Sequence, residues 1–159
     1  MIEEEWNLGE YEQLKVVGKG GSSTVYKGVL KKPNRIVAIK QIDTEGIGNE
    51  QILSIKSEID TIKNLVHEHI VCYLGTLKLS SPSRILIFLE YADRGSLRQF
   101  YQRKGALSEP QAANCTRQLL EGMIYLHKNG IAHRDVKCAN CLLTKEGVVK
   151  LADFGASKK

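Results

Sequence analysis

No apolar run in the 159 residues is long enough to cross a bilayer: the longest strongly apolar stretch, Ile85 to Leu89, falls far short of the roughly 18 residues that a spanning helix needs. A secretory leader is also missing. Residues Met1 to Trp6 read Met-Ile-Glu-Glu-Glu-Trp, acidic where a leader is basic and then apolar, and Ile2 stands where N-myristoylation requires glycine. The expectation is a soluble intracellular, cytoplasmic protein. Cysteine is sparse, at 72, 115, 138 and 141, which is no secreted disulfide framework. Cys138-Ala-Asn-Cys141 has the C-x-x-C form, but zinc needs a second ligand pair and His67 and His69 lie in another segment, so the thiols are expected to be buried. A basic block is absent as well. The net charge is +5, yet lysines and arginines are scattered without interleaved aromatics, which argues against nucleic acid as a partner. Repeats and low-complexity stretches are lacking. What remains is a globular composition, 42% hydrophobic and 26% charged, in a chain of one ordinary domain's length.

The richest stretch chemically runs from His133 to Gly155. It opens His-Arg-Asp-Val-Lys-Cys-Ala-Asn and closes Leu-Ala-Asp-Phe-Gly. In-line transfer of a phosphoryl group asks for one carboxylate at the attacking hydroxyl, oxygen ligands for Mg²⁺ and cations against developing charge. Asp135, Asn140 and Asp153 offer the oxygens and Lys137 a cation. Asn140 follows Asp135 by five positions, close enough for one loop to carry both. Gly155 permits a turn beside Asp153, and Phe154 can anchor it. Either triplet alone would read equally well as a solvated turn.

With both triplets in order at this spacing, the stretch resembles the signature set of the eukaryotic protein kinases. The resemblance extends over about residues 11 to 159. It implies the bilobal α+β kinase fold: a five-stranded antiparallel small lobe with one helix and hinge over 11–92, preceded by an extension over 1–10, and the first part of a helical large lobe over 93–159. It also implies ATP and Mg as cofactors and a protein hydroxyl as acceptor. Asp135 becomes the base and Asn140 and Asp153 the metal ligands. Arg134, Phe154 and Gly155 become regulatory, Arg134 awaiting an activation-loop phosphate. Lys137, two residues past the base, resembles the Ser/Thr class. The stretches Glu58 to His67 and Gly147 to Ser157 look most like MAP kinase kinase kinases, which would make a MAP kinase kinase the substrate.

Upstream, Tyr11 to Leu30 reads as two strands joined by a glycine-rich turn from Gly18 to Val25. Strand-like residues follow the turn, whereas a Rossmann loop leads into a helix. The pattern is similar to the kinase phosphate lid at Gly18, Gly20 and Val25, with Lys19, Gly21 and Ser22 between, but Ser23 stands at the third glycine and Ser22 where an aromatic is usual. Arg35 to Ile42 reads as a strand whose alternation puts Ala38 and Lys40 on one face and Val37 and Ile39 on the other. A small neighbour beside the lysine leaves room for adenine. Asn49 to Val66 carries Ile52, Ile55, Ile59, Ile62 and Val66 at helical spacing, with Glu58 bordering the stripe. By resemblance, Glu58 pairs with Lys40.

Strands are expected at Val71 to Leu79 and Arg84 to Glu90. By resemblance, Leu89 is then the gatekeeper, Glu90 and Ala92 offer hinge backbone to adenine, and Leu142 floors its pocket. Ser96 is positioned to cap a helix, and Ser108-Glu-Pro-Gln111 is a capping-box start for a long helix to Asn129 that Gly130 ends. That helix is expected to turn Cys115, Leu119, Met123 and Leu126 to the core, with His127 near its end taking no part in catalysis. Cys141 to Leu143 and Val148 to Leu151 read as a short strand pair. Lys159 follows Gly155 by four positions, and the family's Ala-Pro-Glu anchor is not in the sequence. The expectation is a kinase domain truncated after Asp-Phe-Gly, inactive in isolation. The alternative is a non-catalytic kinase-like fragment or nucleotide-binding interaction module.

Overall fold

A computed structural model describes residues 8–158. The acidic start Met1 to Trp6 lies outside the described residues. Residues 8–53 and 73–91 form one compact unit and 54–72 with 92–158 a second.

The first unit is an antiparallel sheet. Its strands are β1 (Tyr11–Lys19), β2 (Ser23–Leu30), β3 (Arg35–Asp43), β4 (Tyr73–Ser80) and β5 (Ser83–Glu90), in the order β1-β2-β3-β5-β4. Alternation along β3 sorts the faces as the sequence suggests. Val37 and Ile39 are fully buried and cluster with Leu30, Leu86 and Phe88, flanked by Tyr11, Tyr26 and Leu74, while Ala38 and Lys40 are half-buried on the opposite face. Tyr11 packs edge-on against Phe88 at 5.5 Å between ring centroids. The five-stranded antiparallel arrangement is the one the resemblance implies.

Helix α1 (Asn49–Ile62) crosses from the first unit into the second after Leu53. It stops one turn before the expected end. Val66 is exposed and Leu65 is buried in its place: the apolar spacing continues to Val66, but the Leu65 N–H donates to the Ile62 carbonyl at 3.1 Å and the Val66 N–H to the Tyr125 hydroxyl at 3.0 Å, so the helical bonds end. β4 likewise starts at Tyr73 rather than Val71. Residues 69–71 pair with Leu151 instead: the Val71 N–H donates to the Leu151 carbonyl and the Leu151 N–H to the His69 carbonyl, both at 2.9 Å.

The second unit carries α2 (Leu97–Lys104), α3 (Glu109–Lys128), a 3-10 turn (Cys138–Asn140), and the pair β6 (Cys141–Leu143) and β7 (Val149–Leu151). Both long helices begin in full capping boxes. Ser96 accepts from the Gln99 N–H at 3.1 Å while Gln99 accepts from the Ser96 N–H at 3.0 Å, and Ser108 and Gln111 do the same for α3. Ser96 is also buried, and Ser96→Ala removes the acceptor of the Gln99 N–H. The expected loss is about 0.5–2 kcal/mol of unfolding free energy in urea titration; an unchanged midpoint would show that the cap contributes nothing.

The buried face of α3 departs from the expected one. Gln118, Gly122 and Leu126 face inward, whereas Cys115, Leu119 and Met123 are only half-buried and Leu120 and Ile124 are 52% and 53% exposed. The inward ridge exists because β7 needs partners: Gln118 Oε1 accepts from the Val149 N–H at 2.8 Å and its Nε2 donates to the Gly147 carbonyl at 3.3 Å. Gly122 completes the contact, since a Cβ there would stand 3.0 Å from the His69 carbonyl oxygen. His69 is buried beneath, with Nδ1 2.9 Å from the Val149 carbonyl and Nε2 3.2 Å from Glu121 Oε2. His67 stacks on Tyr125 at 4.8 Å; burial, and then the neighbouring His69, hold its pKa below the usual imidazole range. The four cysteines form no disulfide; Cys141 is buried as expected, but Cys72 and Cys115 are half-buried, and Cys138 is exposed because it opens the 3-10 turn at the surface. Among the described residues, no helix is long and apolar enough to cross a membrane.

Candidate active site

In the first unit, strand register gathers the sequence-selected residues. Val25 lies opposite Lys40, and Ala38 lies opposite Leu89; directly opposed residues of an antiparallel pair share a face, so Val25, Ala38, Lys40 and Leu89 all stand on the face away from the buried Val37–Phe88 cluster. Glu90 closes β5 opposite Val37. Gly18 and Lys19 complete β1, Ser23 opens β2, and Gly20, Gly21 and Ser22 form the turn between them, closed by the Gly20 N–H donating to the Ser23 carbonyl at 2.8 Å.

None of the three glycines here has a positive φ, and a Cβ on Gly21 would meet nothing within 4 Å. Neither backbone conformation nor packing within the chain therefore requires glycine at position 21.

In the second unit, the residues from His133 onward form a connected hydrogen-bond system. His133 is 2% exposed, and its ring stands edge-on to the buried Phe154 at 5.0 Å. The Asp135 N–H donates to Nδ1 at 3.2 Å, which leaves the proton on Nε2 to donate to the Ala152 carbonyl at 2.9 Å. One imidazole thus ties the loop bearing Asp135 to the residue before Asp153. Sequence reading assigned His133 no role of its own, although its place at the head of the triplet was the available signal.

Asn140 is buried, and its Nδ2 donates to both the Asp135 carbonyl and Asp135 Oδ2, each at 2.9 Å. Both partners are acceptors, so the amide orientation is dictated and Oδ1 is directed elsewhere. Lys137 Nζ lies 3.4 Å from Asp135 Oδ1, with the two side chains 57% and 37% exposed. A pair so wet adds little stability. Its effect is positional: an amide holds one carboxylate oxygen and an ammonium faces the other.

Arg134 and Asp153 both sit in the left-handed region, at φ 64° and 59°. Such backbone costs on the order of 1–3 kcal/mol at a residue other than glycine and persists where the surrounding structure holds it. The Arg134 Nε donates to the Ala156 carbonyl at 2.7 Å, Asp153 Oδ1 accepts from the Gly155 N–H at 3.3 Å, and Ser157 Oγ donates to the Phe154 carbonyl at 2.6 Å. Glu58 on α1 is half-buried, with Oε2 3.6 Å from where a Cβ on Gly155 would stand. Leu142 is half-buried in β6, and Ala92 is buried with its carbonyl accepting from the Gly95 N–H at 3.3 Å.

The protein kinase domain model matches residues 11–159. The chain belongs to the protein kinase family. A probable serine/threonine-protein kinase of Dictyostelium discoideum is 40% identical over 152 residues, 96% of this chain and 30% of the relative. MAP3K epsilon protein kinase 2 of Arabidopsis thaliana is 46% identical over 145 residues, covering 90% of this chain and 10% of its own. Mitogen-activated protein kinase kinase kinase A of Dictyostelium discoideum is 38% identical over 154 residues, 94% of this chain and 16% of the relative. The chain thus spans less than a third of the length of these curated relatives. The five-stranded antiparallel sheet and the helices are those of the kinase fold.

Proposed function

We propose that the protein carrying this kinase domain is a serine/threonine kinase of the MAP kinase kinase kinase type, which transfers the γ-phosphate of Mg-ATP to a hydroxyl of a protein, a MAP kinase kinase being the first candidate. The observation that carries the reading is the two-point grip on Asp135. A base that accepts a proton from an attacking hydroxyl must present its carboxylate in one orientation, and Asn140 and Lys137 hold its two oxygens.

The remaining assignments follow the same chemistry. The donors available for a cation are oxygens only, Asn140 Oδ1 and the Asp153 carboxylate, which suits a hard ion such as Mg²⁺. When bound, that ion would offset the charge of the nucleotide's phosphates. By resemblance to the kinases, the backbone of Gly18 to Ser23 with Val25 is assigned to the phosphates, and Ala38, Leu89, Glu90, Ala92 and Leu142 are assigned to adenine recognition. Lys137 beside Asp135 and the names of the relatives support the Ser/Thr and MAP kinase kinase kinase reading.

Lys40 and Glu58 are assigned to one functional pair that orients the phosphates. In the full-length protein, Lys40→Met and Glu58→Gln should each lower phosphate transfer to a generic Ser/Thr substrate, and the double variant should lose little more than either single one. Losses that multiply independently would dissolve the pair. Arg134 is assigned as the acceptor of an activating phosphate, because its guanidinium keeps donors beyond the Nε held by Ala156. Arg134→Ala should abolish activation by phosphorylation, and activation that persists would remove that role.

A further inference from the structure

The C-x-x-C of residues 138–141 has no part in the chemistry above, yet the fold sets it in an unusual place. Cys138 opens the 3-10 turn and Cys141 follows its last residue, with the Asn140 N–H closing the turn on the Lys137 carbonyl at 2.9 Å. In a 3-10 turn a rise of about 2 Å per residue puts the Cα atoms of residues three apart about 6 Å from one another. That is inside the 4.4–6.8 Å window for a disulfide. The spacing is set by the two residues between, Ala139 and Asn140, so the extended backbone of Cys141 itself leaves it intact.

The two thiols differ in access. Cys138 is exposed, and Cys141 is 2% exposed at the first position of β6. A third thiol, Cys115, stands on α3 and is half-buried. Burial raises the pKa of Cys115 and Cys138 adds to it; burial pushes Cys141 up to about 11, with Cys138 and then Cys115 adding.

We propose that residues 138–141 are an oxidative modification site: a hydroperoxide converts Cys138 and Cys141 to a reversible disulfide that silences the domain by displacing Asn140. The Cys138 sulfur attacks the peroxide, the O–O bond breaks, and Cys138 becomes a sulfenic acid as the other oxygen leaves as an alcohol or water. The Cys141 sulfur then attacks that sulfur; the S–S bond forms and the hydroxyl departs as water with the Cys141 proton. Two thiols are oxidised by two electrons and the hydroperoxide is reduced by two. Order follows access, since only Cys138 is open to solvent. To reach it, the Cys141 sulfur must leave its buried position, which twists the adjoining peptide of Asn140 and breaks the two-point contact of Nδ2 with Asp135. A base misplaced by about 1 Å loses on the order of 100-fold in rate.

The silencing half rests on the function proposed above; the disulfide half does not, and the two are read separately. Full-length protein is treated with hydrogen peroxide, blocked with an alkylating agent and digested with trypsin. Cleavage after Lys137 and Lys145 isolates both cysteines in one peptide, Cys138 to Lys145. The expected product is that peptide two hydrogens lighter and unalkylated, restored by dithiothreitol, in wild type and in Cys115→Ser alike. A cross-link to Cys115, or a peptide with Cys138 over-oxidised and Cys141 alkylated, overturns the site. Phosphate transfer should fall on the order of 100-fold with disulfide formation, recover with dithiothreitol, and resist peroxide in Cys138→Ser. A disulfide that forms in full while transfer is unchanged overturns the silencing. A protein without transfer activity that still forms the disulfide refutes the proposed function and leaves the modification standing.

Discussion

Asp135→Asn should leave the binding of Mg-ATP within about twofold of wild type and lower phosphate transfer by roughly 10²- to 10⁴-fold, the range that a positioned general base contributes. The substitution is nearly isosteric. An asparagine at 135 can turn its carbonyl oxygen toward Asn140 Nδ2 and so keep the bond that Asp135 Oδ2 makes, while the backbone carbonyl still accepts from the same amide. The contact with Lys137 changes, since an amide nitrogen would then face an ammonium at the 3.4 Å now occupied by Oδ1. That pair is largely solvated, so its loss should not unfold the loop. Removed are the negative charge and the proton acceptor.

Asp153→Asn should behave differently. Asp153 is exposed, and its Oδ1 accepts a long 3.3 Å bond from the Gly155 N–H that an asparagine oxygen can also accept, so the loss falls on metal-dependent nucleotide binding. Calorimetry with ATP, with and without Mg²⁺, on both variants separates the roles. Equal loss of Mg-ATP affinity in the two would contradict the division between base and metal ligand.

The second large effect concerns the sheet. Gly28 in β2 lies opposite Gln13 on β1 and Val37 on β3. A Cβ built there would stand 2.5 Å from Ile39 Cδ1 and 2.9 Å from the Glu12 carbonyl oxygen. Ile39 is fully buried in the core of the first unit, and the Glu12 backbone is fixed by pairing with Val29, so neither side can give way freely. Gly28→Ala should destabilise the protein by roughly 1–3 kcal/mol, the usual range for overpacking a core, seen as an earlier urea midpoint. Ile39→Val removes the methyl group that clashes, and in the Gly28→Ala background it should cost less than it does alone. Strict additivity of the two would locate the strain elsewhere, on the Glu12 carbonyl.

Much of this molecule was legible from local pattern. Alternation revealed the strands of the first unit and the face shared by Ala38 and Lys40, because a strand's period of two depends on nothing outside it. The capping boxes at Ser96 and Ser108 close within four residues, so those helix starts were readable as well. Residue types in His133 to Gly155 declared their chemistry by their donors and charges. The tertiary structure decided everything whose partner lies far along the chain. Which face of α3 turns inward depends on Gln118 meeting Val149, and on Gly122 admitting the His69 carbonyl, so a polar and a side-chain-less residue outrank the leucines beside them. The late start of β4 follows from Leu151 taking the backbone bonds of residues 69–71. The tautomer of His133, the amide orientation of Asn140 and the left-handed backbone of Arg134 and Asp153 belong to the same class. Apolar spacing records which residues avoid water, but a buried backbone group must find a hydrogen-bond partner wherever the fold supplies one, and that constraint is written only in three dimensions.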